Sequence, residues 1–253
     1  MVTFEISNPN LMCYNASYLE KKKSKLVERY QNALPANWKS NIEEFEVPTY
    51  YFVSGFEHPK LPIIKHDGIY LYEWGLIPNW AKDDSFQHNT LNAVGETVFE
   101  KPSFKSAIGS QRCILTVSGF FEWRQLNNKK YPYFIKMENQ EIFSLACVYD
   151  TWLNKSTGEI KNTFSIITTP ANELMEKIHN VKKRMPLILK LSDEKAWLDP
   201  QLSRQSITDL IKTYTENDLV AIPISMEANN AKANRNKAVI LERVDYPELQ
   251  LFD

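Results

Sequence analysis

The chain has 253 residues, 12 % of them aromatic, and a formal net charge of −1 at pH 7. That length buries a full core without staples, and the ordinary composition excludes disordered and fibrous classes. The near-zero charge excludes nucleic-acid binding by global basicity but leaves room for a locally positive groove. Three widely spaced cysteines, Cys13, Cys113 and Cys147, none in a Cys-x-x-Cys pair, argue against a disulfide framework and a structural zinc site, and fit a reducing cytoplasm.

Residues 1–12 carry neither the basic nor the apolar region of a signal peptide. Asn8-Pro9-Asn10 reads as turn or coil, and no apolar run is long enough to span a bilayer. Ser17-Tyr18-Leu19-Glu20 reads as a capping box. It predicts a basic amphipathic helix with Leu19, Leu26, Val27 and Tyr30 on one side, closed by Pro35. The run Lys21-Lys22-Lys23 reads as a solvated face.

The middle is strand-rich: 68–74, 113–118, 132–137, 142–149 and 163–169 are runs heavy in Ile, Val, Phe, Tyr and Thr. Turn residues separate them at Asn127-Asn128 and Ser156-Thr157-Gly158. Helices are predicted at 171–181, 192–199 and 205–216, and strands near 220–225 and 238–243. No repeat, low-complexity tract or linker interrupts the chain. The reading is a single α+β domain with a central antiparallel sheet, barrel-like, flanked by helices.

Four segments carry candidate chemistry: Met12-Cys13-Tyr14-Asn15; Trp74-Gly75-Leu76-Ile77-Pro78-Asn79-Trp80 with Asn92-Ala93-Val94-Gly95-Glu96-Thr97; Ser118-Gly119-Phe120-Phe121-Glu122-Trp123; and Ile178-His179 with Arg184-Met185-Pro186. Singly, each has a plain explanation. A lone cysteine is usually a small buried hydrophobe. A glutamate among aromatics can be half of an ion pair, and a histidine at a helix end can simply meet the dipole. Tryptophans are as readily core as surface.

In this order, however, the motifs resemble the SRAP (SOS-response-associated peptidase) family over nearly the whole chain. The resemblance implies an SRAP fold over 13–253. It also implies a protein that senses abasic sites in single-stranded DNA and traps them through a cysteine bearing a free α-amine. Cys13, Asn92, Glu122 and His179 would be catalytic, with Glu122 handling protons beside the cysteine and His179 serving the sugar ring oxygen. Asn92 would hold the cysteine amine or a sugar oxygen. Trp74 and Trp80 would stack bases, and Lys182, Lys183 and Arg184 would contact phosphates. The expected partner is abasic single-stranded DNA, bound by a cytoplasmic monomer without cofactor, metal or membrane. The family's name further implies a self-processing peptidase activity.

The chain departs from the family pattern in three places. Val94 stands where the family has arginine, so that phosphate contact falls to Lys182, Lys183, Arg184 or Lys101. His179 precedes Arg184 by five residues rather than two, a local insertion that could carry the histidine out of register. Cys13 is not residue two, so 1–12 reads as a mis-called start or a leader. Two other functions remain open: a cysteine peptidase or amidase using Cys13 and His179, and a non-catalytic single-stranded DNA-binding module.

Overall fold

Strand partners in this chain come from distant parts of the sequence, and their pairing decides which local signals prevail. The computed structural model describes residues 14–20, 22–35, 46 and 49–249, with only the backbone of Lys23. Cys13, residues 1–12 and Lys21 lie outside the described residues.

In order, the elements are β1 (Asn15–Tyr18), α1 (Lys23–Tyr30), β2 (Tyr50–Ser54), β3 (Lys60–Lys65), β4 (Gly68–Trp74), β5 (Asn92–Val94), β6 (Arg112–Val117), β7 (Gly119–Leu126), β8 (Lys129–Met137), β9 (Phe143–Leu153), β10 (Ile160–Pro170), α2 (Glu173–Ile178), β11 (Arg184–Pro186), β12 (Ile188–Leu189), α3 (Leu191–Leu198), α4 (Arg204–Leu210) and β13 (Leu219–Pro223). One sheet runs β13-β8-β7-β1-β2. In the other, pairings pass from β10 through β4, β3, β6 and β9 and return to β10, closing a five-stranded barrel. Most ladders are antiparallel; β10 alone runs parallel to two neighbours, β4 and β5. Ser118 is the single residue by which the chain passes from β6 in the barrel to β7 in the open sheet. Between the two sheets lies an apolar core that includes Val53, Phe120 and Ile135 from one and Leu115, Leu145 and Ile166 from the other. The architecture is α+β in one unit.

Local signals held where their partners were local. β7 and β8 are joined by Asn127-Asn128 alone, both with positive φ (48° and 61°). That backbone matches the twist of a two-residue hairpin and favours asparagine. The capping box fails. Ser17 lies in β1, paired with both β2 and β7, and its hydroxyl donates to Tyr50 O rather than to a helix end. The helix begins later, and Glu20 instead accepts from Lys22 N. The predicted helix 171–181 stops at Ile178, and 205–216 stops at Leu210. Residues 238–241 form a short 3-10 turn, with one isolated bridge between Ile224 and Arg243, rather than a strand.

Gly119 is needed at the start of β7. A Cβ there would press on the Phe134 ring and come within 2.6 Å of Ile135 O. A backbone oxygen in a paired strand cannot step aside. Gly119→Ala should therefore lower stability by about 1–3 kcal/mol, the usual cost of overpacking. Thermal unfolding measures it, and an unchanged midpoint would mean that β7 and β8 shift freely.

Candidate active site and nucleic-acid surface

A cavity of about 670 Å³ opens where β1 and β7 meet the turn after β2, the end of α2 and the segment around 228–235. Its wall includes Tyr14, Asn15, Glu122 and His179. Tyr14 directly follows Cys13, so the described chain enters at this cavity. Gly55 N donates to Tyr14 O and holds that entry against the turn after β2.

Glu122 is 4 % exposed on β7, opposite Tyr133 of β8. His179 follows the last residue of α2 and is also buried, with Nδ1 3.6 Å from Glu122 Oε2. The same Nδ1 lies 2.9 Å from Arg184 O. A carbonyl only accepts, so Nδ1 carries a proton and Nε2 is the nitrogen left to exchange one.

The residues between His179 and Arg184 form a loop tied at its neck. Lys183, at φ 49°, donates its N–H to His179 O at 2.8 Å. Asn180 accepts from Gln125 N at 3.0 Å and donates to Gln125 O at 2.8 Å. Its amide thus imitates a strand on the edge of β7, beyond the residues Gly119 and Phe120 that pair with β1. Val181 is 63 % exposed at the cavity rim. The longer interval is therefore taken up in this tied loop, which puts Val181 and Lys182 on the cavity wall and leaves His179 beside Glu122.

Aromatic rings furnish one flank. Tyr14 lies nearly parallel to Trp123 with centroids 6.1 Å apart, and edge-on to Phe56 at 5.1 Å. Trp123 Nε1 donates to Asn229 Oδ1. Three cations also line the cavity: Lys130, Lys182 and Arg235. The Arg235 guanidinium is 4.2 Å over the Phe52 ring and 4.0 Å from Glu57.

Several expected site residues fall elsewhere. Trp74 is fully buried, donates to Leu91 O and packs parallel to Phe164, so it has no face to offer a base. Trp80 is half-exposed but packs edge-on to Phe86, away from the cavity lining. Asn92 sits on β5 beside Ile166, outside the lining residues. The Arg184 fork holds both oxygens of Glu96 and also reaches Thr168 O, so it braces β11 against β10 and the turn after β5. That guanidinium holds the Glu96 carboxyl below its usual range. Lys183 is exposed beside Glu176 and does not line the cavity. Sequence reasoning missed Phe56, Asn229 and Arg235, which lack a local signal and are gathered only by the fold. Lys130 was missed too, although the pair Lys129-Lys130 directly after the Asn127-Asn128 turn is a local signal.

Cys113 and Cys147 face one another across β6 and β9, both fully buried, and burial pushes the Cys113 thiol well up. Among the described residues no group of three or more His, Cys, Asp or Glu could hold a metal ion, and no helix is long and apolar enough to cross a membrane.

Residues 12–231 match the sequence profile of the SOS response associated peptidase (SRAP) family, and the chain belongs to that family. The abasic site processing protein YoqW of Bacillus subtilis (strain 168) is 41 % identical over 163 residues, 64 % of this chain and 71 % of that protein. The abasic site processing protein HMCES of Xenopus tropicalis is 27 % identical over 249 residues, with 84 % and 72 % covered. A crystal structure of a protein from Bacteroides thetaiotaomicron superposes with a TM-score of 0.80 at 37 % identity, covering 92 % of this chain and all of that one.

Proposed function

We propose that this chain recognises abasic sites in single-stranded DNA and captures them covalently through Cys13. The observation that carries the reading is the buried Glu122–His179 pair in a cavity whose wall includes Tyr14, the neighbour of Cys13. The names of YoqW and HMCES support the substrate.

The chemistry balances. Ring opening breaks the C1′–O4′ bond of the deoxyribose: O4′ gains a proton, the C1′ hydroxyl loses one, and an aldehyde forms. A protonated His179 Nε2 supplies the first proton and Glu122 takes the second. The α-amine of Cys13 then condenses with C1′ to an imine and releases water. The thiol adds to the imine carbon, its proton passes to nitrogen, and a five-membered thiazolidine closes. Cys113 and Cys147 lie buried in strands, which leaves Cys13 for this role.

The test uses protein beginning at Cys13, single-stranded DNA with one abasic site and a denaturing gel. A persistent shifted band is expected. No band, with hydrolysis of a peptide that depends on Cys13, would instead establish the peptidase reading suggested by the family name; binding alone would establish a non-catalytic module.

With net charge −1, attraction to DNA must be local. Lys130 and Lys182, on the cavity wall, should each contribute about 0.7 to the log–log dependence of affinity on salt. The double variant Lys130→Ala, Lys182→Ala should bind more weakly with a slope smaller by about 1.4. A slope equal to wild type would take these two lysines out of the phosphate path.

A further inference from the structure

Asn15 opens β1 and lines the cavity two residues after Cys13. It is 2 % exposed, yet among the described residues neither its Oδ1 nor its Nδ2 has a hydrogen-bond partner. Its backbone is held opposite Ser54 of β2, so the side chain cannot leave without breaking the strand. A carboxamide removed from water and left unpaired at both its oxygen and its nitrogen is costly, and native interiors keep few unpaired polar groups. On a cavity wall shared with Glu122 and His179, the missing partner is a group that arrives with the ligand.

The chemistry of the amide restricts that group. Oδ1 needs a donor and Nδ2 needs an acceptor, and a hydroxyl is both. A phosphate oxygen would leave Oδ1 unpaired. In the closed deoxyribose, O4′ is an ether oxygen and can only accept, and the C1′ hydroxyl, which could do both, is lost when the aldehyde forms. Ring opening turns it into a C4′ hydroxyl that donates and accepts. We infer that Asn15 is the residue that selects the ring-opened form of the abasic sugar, by hydrogen-bonding its newly formed C4′ hydroxyl. It thereby draws the sugar toward the aldehyde that Cys13 consumes. This rests on the abasic-site reading above, and it gives the cavity a preference between two forms of one sugar.

Three single-stranded oligonucleotides test it on protein beginning at Cys13. One carries a tetrahydrofuran residue, a closed ring with no aldehyde. The second carries an open-chain residue with a free C4′ hydroxyl and a methyl group in place of the C1′ aldehyde, so that it cannot form an imine. The third carries the natural abasic residue. By fluorescence anisotropy, wild type should bind the open-chain analogue about tenfold more tightly than the closed one, the scale of one added hydrogen bond. Asn15→Leu should erase that preference and slow capture of the natural site by a similar factor. Its melting temperature should hold or rise, because an unpaired amide has been replaced by a side chain of similar size without polar atoms. Asn15→Ala should also erase the preference and serves if the leucine variant misfolds.

A preference for the open chain that survives in both variants overturns the assignment. So does wild-type capture by a variant whose melting temperature has dropped, which would make Asn15 structural. A variant altered only in its preference among flanking bases would assign the amide to a base edge and overturn it too. If wild type forms no covalent product yet shows an Asn15-dependent open-chain preference, the capture mechanism fails and this inference stands. If wild type captures the natural site but does not distinguish the two analogues, the inference fails alone.

Discussion

A chain whose first residue is Cys13 should convert abasic single-stranded DNA into a stable covalent adduct, and the same chain with residues 1–12 attached should give none. The difference is covalent. With Met12 in place, the nitrogen of Cys13 belongs to a peptide bond, its lone pair is delocalised into the carbonyl, and it cannot condense with an aldehyde. The thiol alone can form only a hemithioacetal, which reverts. Free α-amines and cysteine thiols ordinarily lose their protons only slightly above neutrality, so once freed both groups are partly nucleophilic at neutral pH. Two preparations decide the matter: one with its mass confirming residues 1–12, the other beginning at Met12, from which methionine aminopeptidase should remove the methionine because cysteine is small. The adduct's intact mass should be one water lighter than the sum of its parts. Cys13→Ala in the processed form keeps the amine but not the thiol, and should yield only an imine that borohydride can trap. Equal capture by the longer chain, with its mass unchanged, would exclude a thiazolidine and promote the cysteine peptidase reading.

Glu122→Gln should slow capture by about 10²- to 10⁴-fold while leaving affinity for abasic DNA nearly unchanged. The substitution preserves shape and hydrogen bonding but cannot exchange a proton. His179→Ala should fall in the same range, since Nε2 is the nitrogen left for the ring oxygen once Nδ1 is committed to Arg184 O. The two groups lie 3.6 Å apart and, on the proposed mechanism, serve one ring-opening step, so the double variant should be little slower than the slower single one. Single-turnover rates on a denaturing gel, with dissociation constants measured beside them, separate rate from binding. If His179→Ala captures at the wild-type rate while Glu122→Gln is slow, proton transfer at O4′ has another source.

The strands of the middle and the Asn127-Asn128 hairpin were legible because their signals are local: β-branched and aromatic runs between turn residues. The capping box was misleading for the converse reason. Ser-x-x-Glu describes four residues, whereas β1 exists because β2 and β7 flank it. Of the site, Glu122 and His179 were found as motifs, and the structure brings them together. Trp74 could not be distinguished from a surface ring by sequence, because its burial depends on Leu91 and Phe164. The guanidinium of Arg184 was unreadable in the same way: Glu96, which engages it, lies 88 positions earlier. Arg235 reaches the cavity from the far end of the chain, and the unpaired amide of Asn15 is a fact of packing that no residue pattern announces.

The loop between His179 and Arg184 is fastened at its neck by Lys183 N to His179 O and along its flank by the Asn180–Gln125 pair. Its tip is mechanically uncoupled from the histidine. Lengthening a loop whose ends are already fixed costs only about 0.6 kcal/mol per doubling, so the tip around Val181 should absorb foreign residues without transmitting strain to His179 and Glu122. A short peptide epitope or a dye attachment site placed there would ride at the cavity mouth, beside Lys182, and report on strand entry in real time.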